Sequence, residues 1–209
     1  MSTKTLEKIA PALILMTRWP APNRCKSRLS KDIGPIKAAL IQRKLTEHTL
    51  AVVKAFEKNE FVEVFIAITG IKGKAIKRWG QIQKLKNINP QGEGNLGLRM
   101  RRQCLKVQTS KASRSIIIIG ADLPSLSKRD LMEALEGLKT HQMVIGPSSD
   151  GGYWLLGLSG TLVEPIAIWP FINITWGSDK VFKNTIEQAK SAKINYLVLK
   201  EQNDLDQLK

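Results

Sequence analysis

Asp122 follows the run Ile116 to Ile119 after Gly120 and Ala121. Four consecutive isoleucines are stiff at χ1 and apolar on both faces, which suits a strand buried between two helix layers. Pro124 then bars continuation of the ladder and favours a turn or extended backbone at Leu123. Open α/β sheets place ligands at the carboxyl ends of such strands, so Asp122 is the candidate pivot of a site. Other carboxylates give it company. Asp150 is presented on the turn of GPSSDGGYWLLGL, where Gly151 and Gly152 leave room beside it, and Asp204 and Asp206 stand near the C-terminus in NDLD. Hard divalent cations take more than one oxygen ligand, which makes the late aspartates relevant to Asp122. An Asp-Gly turn without chemistry is the plain alternative for Asp150.

Cations of the right kind stand after the first apolar run, PALILMT at 11–17. The loop RWPAPNRCKSRLSKDIG opens with Arg18, and Pro20 and Pro22 predict that it is extended. Arg24, Lys26 and Arg28 alternate along it, so an extended segment would point all three one way. Such a trio suits a phosphate or diphosphate, with arginine binding bidentately and lysine acting as a point charge. Solvated loop charges are the alternative. Cys25 lies between two of these cations, which would lower its pKa, but no partner base is evident and it reads as a bystander.

The segment PQGEGNLGLRMRRQ spells a dinucleotide fingerprint with Gly92, Gly94 and Gly97. Its context is poor: no convincing strand precedes it, and Ile117 stands where a ribose-binding acid should be. A flexible loop that lets backbone approach a flat ligand fits better, followed by a helix from about Leu96. Arg99, Arg101 and Arg102 load the first turns of that helix with positive charge, which opposes its dipole and hints at an anionic neighbour. The aromatics of WPFINITW (169–176) would line a sugar or ring, or close the core.

The elements that must position these groups follow from periodicity. Strands are expected at 11–17, 61–69, weakly 83–89, 116–119, from 143, 153–158 and 194–199. Helices are expected from Gly34-Pro35 to about Lys58, briefly within 70–80, from about Leu96, from a Ser127 cap with Asp130 to about Lys139, and over 177–191. His48 shares the stripe of Ile41, Leu45, Val52 and Phe56, and reads as a packed core histidine rather than a ligand. This alternation predicts an α/β fold, and the 209 residues favour one domain. Two cysteines make no disulfide scaffold. No apolar run approaches a membrane span, and the first residues lack a secretory signal's features, so the expectation is the cytoplasm. The net charge of +15 points to anionic partners. The lysines are scattered, without an arginine-rich tail or arrayed aromatics, which favours a solvated basic surface over a nucleic-acid footprint.

Taken in order, Pro22, Lys26, Arg28 and Leu29, then Gln91 to Met100, then Gly120 to Pro124, then Gly146 to Tyr153 and the final D-x-D resemble a bacterial family of nucleotide-diphospho-sugar transferase-like proteins. The five motifs span nearly the whole chain. The resemblance implies a glycosyltransferase A-type, Rossmann-like α/β/α sandwich with a mostly parallel mixed sheet. It further implies that Arg18, Arg24, Lys26 and Arg28 hold a nucleotide's phosphates, while Gln91, Gly92, Gly94 and Arg99 meet the nucleotide near its base. Asp122 and Asp206 would bind a divalent metal, Mg2+ or Mn2+. Asp150 would orient or deprotonate the acceptor, Lys26 would stabilise the leaving group, and Gly151, Gly152, Tyr153, Trp154 and Trp176 would border the sugar or acceptor. The implied partners are a nucleotide sugar or nucleotide and an unidentified acceptor; a homodimer stays open. Lys-x-Arg-Leu also resembles phospholactate guanylyltransferase, in which a nucleotidyl group moves and pyrophosphate leaves. The first loop has no glycine between Thr17 and Gly34, which weakens a molybdenum-cofactor-type reading.

Overall fold

The computed structural model describes residues 9–108, 114–163 and 170–206. Its centre is β1 (Ala12–Arg18), whose apolar residues divide by parity as a strand requires. Leu13 and Leu15 enter one hydrophobic cluster, and Ala12, Ile14 and Met16 enter the other. β4 (Ile116–Gly120) repeats the division, with Ile117 and Ile119 on the first face and Ile116 and Ile118 on the second. Both faces are therefore covered, as the isoleucine run predicts.

The seven-stranded sheet also contains β2 (Glu63–Thr69), β3 (Asn87–Pro90), β5 (Met143–Pro147), β6 (Tyr153–Leu158) and β7 (Tyr196–Val198). Its order is β3-β2-β1-β4-β6-β5-β7, parallel except for β6, which runs antiparallel to both neighbours. On one face lie α2 (Pro35–Asn59) and α5 (Lys128–Gly137), contributing Leu50, Val53, Phe56, Leu131 and Ala134. On the other lie α4 (Leu96–Val107) and α7 (Val181–Ser191), contributing Met100, Cys104, Val107 and Ala189, while α3 (Lys74–Ile82) precedes β3 and the short α6 (Gly160–Val163) follows β6. This is the expected α/β/α sandwich with a mostly parallel mixed sheet. α5 begins with the anticipated capping box between Ser127 and Asp130.

The chain leaves β1 toward β2 on one side and β4 pairs with β1 on the other, so strand order reverses between them. That reversal marks the carboxyl edge between β1 and β4 as the usual ligand position in such sheets. Three expectations change. β3 is shorter and later than 83–89, and it does precede the glycine-rich segment. His48 is exposed rather than packed in the core, and its Nε2 meets the Leu126 carbonyl at 3.0 Å. The loop after β1 is not extended: left-handed backbone at Asn23 (φ 61°) and Lys26 (φ 49°) turns it into α1 (Ser27–Ile33).

Candidate active site

Lys26 meets two carboxylates where β1 and β4 end. Its ammonium is 2.5 Å from Asp122 and 3.8 Å from Asp206, and Arg28 approaches the other Asp206 oxygen at 3.5 Å. The Lys26 side chain is nearly buried, whereas those of Asp122 and Asp206 remain 48% and 33% exposed, open to a ligand. The turn before α1 causes this meeting. Lys26 takes left-handed backbone at the residue preceding the helix, a conformation that costs about 1–2 kcal/mol for an L residue. The expected alternation of Arg24, Lys26 and Arg28 is thereby lost: Arg28 converges with Lys26 through α1, while Arg24 stays exposed on the turn.

Asp206 reaches the site because the chain beyond β7 crosses the sheet edge. Leu199 N–H bonds to Ile145 O, Gln202 N–H to Pro147 O, and Leu205 N–H to the carbonyl of Asp122 itself at 3.0 Å. The same crossing brings Asp204 beside Asp150. Burial pushes the Asp204 carboxyl above its ordinary pKa, and the charges of Asp150 and Asp206 add to the shift, opposed by its backbone N–H and Lys26. Asp150 commits Oδ1 to its own turn, accepting from Ser148 Oγ at 2.6 Å and Gly152 N–H at 2.9 Å.

The donor set fits a hard divalent cation. Asp122 and Asp206 already converge on one positive centre, the Lys26 ammonium, and both are partly open. No group of three or more His, Cys, Asp or Glu able to hold a metal occurs among the described residues. Two carboxylates completed by water and phosphate oxygens suit magnesium-like coordination.

Gln91 is placed differently from expectation. Its side chain is spent inside the protein: Nε2 donates to Thr17 O at 2.8 Å and Ala67 O at 3.0 Å, while Oε1 accepts from Arg99 at 2.8 Å. It braces the edge and has no amide left to read a base. Gly92 has φ +81°, and a Cβ there would lie 2.5 Å from Arg102 Nη1, so this glycine makes room for a guanidinium. Gly94 lies against Leu98, and Gly97 against Trp176 and Phe171. Ile117, in the fingerprint's acid position, is fully buried. The glycines thus serve packing, and the dinucleotide fingerprint stays rejected.

Several expected walls belong to the interior. Trp154 is buried, packs on Gly146 and donates to Lys200 O. Tyr153 packs edge-on against Trp176 with ring centres 6.4 Å apart, its hydroxyl buried without a partner among the described residues and its pKa pushed up by burial. A Cβ on Gly151 would strike the backbone of Asp179, so that glycine seats the segment before α7. Trp169 lies outside the described residues. Burial also raises the Cys25 pKa, outweighing the hydrogen bond its thiol donates to Ala21 O and the charges of Arg18 and Lys26.

Sequence reasoning weighed Asp204 only as one of two late oxygen ligands and missed its place beside Asp150. It also missed that Arg102 joins Arg99 at Gln91, a link invisible without the position of Gln91. The i, i+3 spacing of the two arginines on one helix was the available signal.

The seven-stranded sheet reversing between β1 and β4, with helices on both faces, is a fold the chain shares with solved structures. The chain belongs to the family described as "Uncharacterized protein conserved in bacteria (DUF2064)", whose pattern matches residues 52–178. No curated protein matches it. Among solved structures it is similar to a Desulfovibrio desulfuricans G20 protein provisionally assigned as a nucleotide-diphospho-sugar transferase. That match has 23% identity and a TM-score of 0.83, over 94% of this chain and 82% of that one. It is also similar to 4-diphosphocytidyl-2C-methyl-D-erythritol synthase from Anaerococcus prevotii DSM 20548, with 12% identity and a TM-score of 0.61, over 96% and 89%. A Mycobacterium tuberculosis H37Rv protein solved as a manganese complex matches at 13% identity and a TM-score of 0.54, over 95% and 92%. These likenesses concern the fold. No helix among the described residues is long and apolar enough to cross a membrane.

Proposed function

We propose that the chain transfers a glycosyl group from a nucleoside diphosphate sugar to an acceptor hydroxyl at the β1–β4 edge. The observation carrying this reading is the convergence of Lys26, Asp122 and Asp206 at the point where strand order reverses. The fold likeness at a TM-score of 0.83 supports it. In the reaction the bond between the anomeric carbon and the diphosphate oxygen breaks, and the electron pair leaves with the nucleoside diphosphate. The acceptor oxygen bonds to the anomeric carbon and loses its proton.

Lys26 and Arg28 would bind the diphosphate as negative charge develops on it, the kind of electrostatic stabilisation that contributes most when donors are already in place. Asp122 and Asp206 would hold a divalent metal, which supplies further neutralisation of the diphosphate. Lys26 would then shift from carboxylate to phosphate oxygens. Asp150 retains Oδ2 to orient the acceptor hydroxyl. Asp204, whose carboxyl burial holds above its ordinary pKa, would be a second group able to take the proton.

The second reading is nucleotidyl transfer, in which a substrate oxyanion attacks the α-phosphorus of a nucleoside triphosphate and pyrophosphate leaves. The fold likeness to the cytidyl-transferring synthase favours it. Incubation with UDP-, GDP- and ADP-sugars, and separately with nucleoside triphosphates, in Mg2+ or Mn2+ separates the two. Release of nucleoside diphosphate supports the first reading, and pyrophosphate release replaces it with the second. Failure to bind any of these nucleotides overturns both.

A further inference from the structure

Toward β2, the same edge carries cations that are balanced differently from Lys26. Arg99 Nη1 donates to the Gln91 side-chain oxygen at 2.8 Å. Arg102 closes on the Gln91 carbonyl at 2.7 Å and the Glu93 carbonyl at 2.9 Å. Gln91 in turn holds Thr17 O, and the next residue, Arg18, is fixed to Arg24 O at 2.9 Å. Every one of these acceptors is neutral. Among the described residues no carboxylate oxygen lies within 4.0 Å of the three guanidinium groups, and Arg99 Nε is buried with no hydrogen-bond partner. Burial, followed by the charges of Arg18 and Arg102, holds the Arg99 pKa below its ordinary value, and Glu93 offsets only part of this.

Tying down the 91–95 loop accounts for the bonds to Gln91 and Glu93. It does not account for gathering three like charges that Glu93 offsets only in part, which is unfavourable until an anion arrives. Guanidinium groups already held by hydrogen bonds keep their remaining donors pre-organised, and their fork matches phosphoryl and carboxylate oxygens.

We infer that Arg18, Arg99 and Arg102 form a second anion subsite, for a phosphoryl or carboxylate group distinct from the diphosphate at Lys26. Gln91, which holds Arg99, bonds to Thr17 O of β1, and Asp122 follows β4, the neighbouring strand about 5 Å away, so both subsites share one sheet edge within reach of one extended substrate or of a donor and acceptor side by side. The carrier of this anion, nucleotide or acceptor, rests on the transferase reading above; the subsite itself does not.

The test is titration with inorganic phosphate at constant ionic strength, followed by calorimetry and thermal melting. Arg18→Gln and Arg99→Gln are expected each to weaken one phosphate-binding event about tenfold, a loss of about 1.4 kcal/mol. Lys26→Gln is expected to retain that event. Melting guards against a merely structural effect: without anion, Arg18→Gln should still melt in one cooperative transition. Phosphate should then raise the wild-type Tm more than the variant's. Unchanged phosphate affinity in both arginine variants, or loss only in Lys26→Gln, overturns the inference. A repeat with saturating nucleoside diphosphate sugar assigns the carrier. If the nucleotide displaces the arginine-dependent phosphate, the donor supplies the anion; if phosphate still binds, the acceptor does. A protein that binds phosphate through Arg18 and Arg99 but no nucleotide would retain the subsite and refute the proposed reaction.

Discussion

Two basic clusters share one sheet edge and solve opposite electrostatic problems. Lys26 is nearly buried and already has its counter-charges, Asp122 and Asp206. Arg18, Arg99 and Arg102 are fixed only by carbonyl and amide oxygens. The first cluster is complete without ligand, so a metal or phosphate must compete with a contact already made. The second is incomplete, so an anion improves it. A single strand serves both, since Thr17 and Arg18 lie at the end of β1 and the next turn leads to Lys26. Charge alone therefore does not distinguish a phosphate-binding lysine from a latch; the position of the nearest carboxylate does.

The largest expected effect breaks the first cluster. Asp122→Asn should lower turnover roughly 100- to 1,000-fold, the scale for losing one electrostatic contributor, as measured by steady-state rates. Lys26→Gln sharpens the comparison further. Without the competing ammonium, Mn2+ should bind the nucleotide-free protein about tenfold more tightly, and the gain in Mn2+ affinity on adding nucleotide should shrink. Metal affinity that is unchanged or weaker would show that Lys26 does not occupy the cation's position.

Gly92→Ala tests the second cluster from the backbone side. Its positive φ and its closeness to Arg102 should cost roughly 1–3 kcal/mol in urea unfolding, with weaker phosphate binding at the arginines.

The smallest effect concerns Asp204. Its pKa is raised in the folded state, so the native protein holds this proton more tightly than the unfolded chain does. Wild-type stability from this group is accordingly lost as pH rises through the raised value. Asp204→Asn should be more stable than the wild type at neutral pH, with the difference closing as the pH falls into the acid range. A difference that grows on acidification would contradict the assigned cause.

Much of this architecture was legible because strand burial leaves a local signature. Ile116 to Ile119 announced a strand covered on both faces, and Gly120 with Pro124 announced where it stops. Ser127 and Asp130 announced a helix start. Lys26, Asp122 and Asp206 were each singled out as candidates, but by different means. Asp122 follows from local sequence, whereas Asp206 needed a family resemblance, because a chain crossing from β7 to the end of β4 depends on backbone pairings no spacing reveals. The first loop failed in detail for a similar reason. Alternating cations imply one face only on an extended chain, and left-handed backbone at Asn23 and Lys26 cancels that premise. Gln91 and Trp154 misled because polar or aromatic character says nothing about whether the partner is ligand or interior. Gln91 found two carbonyls and Trp154 the core.

The most direct measurement is calorimetric binding of nucleoside diphosphate sugars, with and without Mn2+, to the wild type and to Asp122→Asn. The Lys26–Asp122–Asp206 account predicts binding that strengthens with Mn2+ in the wild type and loses that metal dependence in the variant. Binding that is indifferent to both the metal and Asp122 would contradict it.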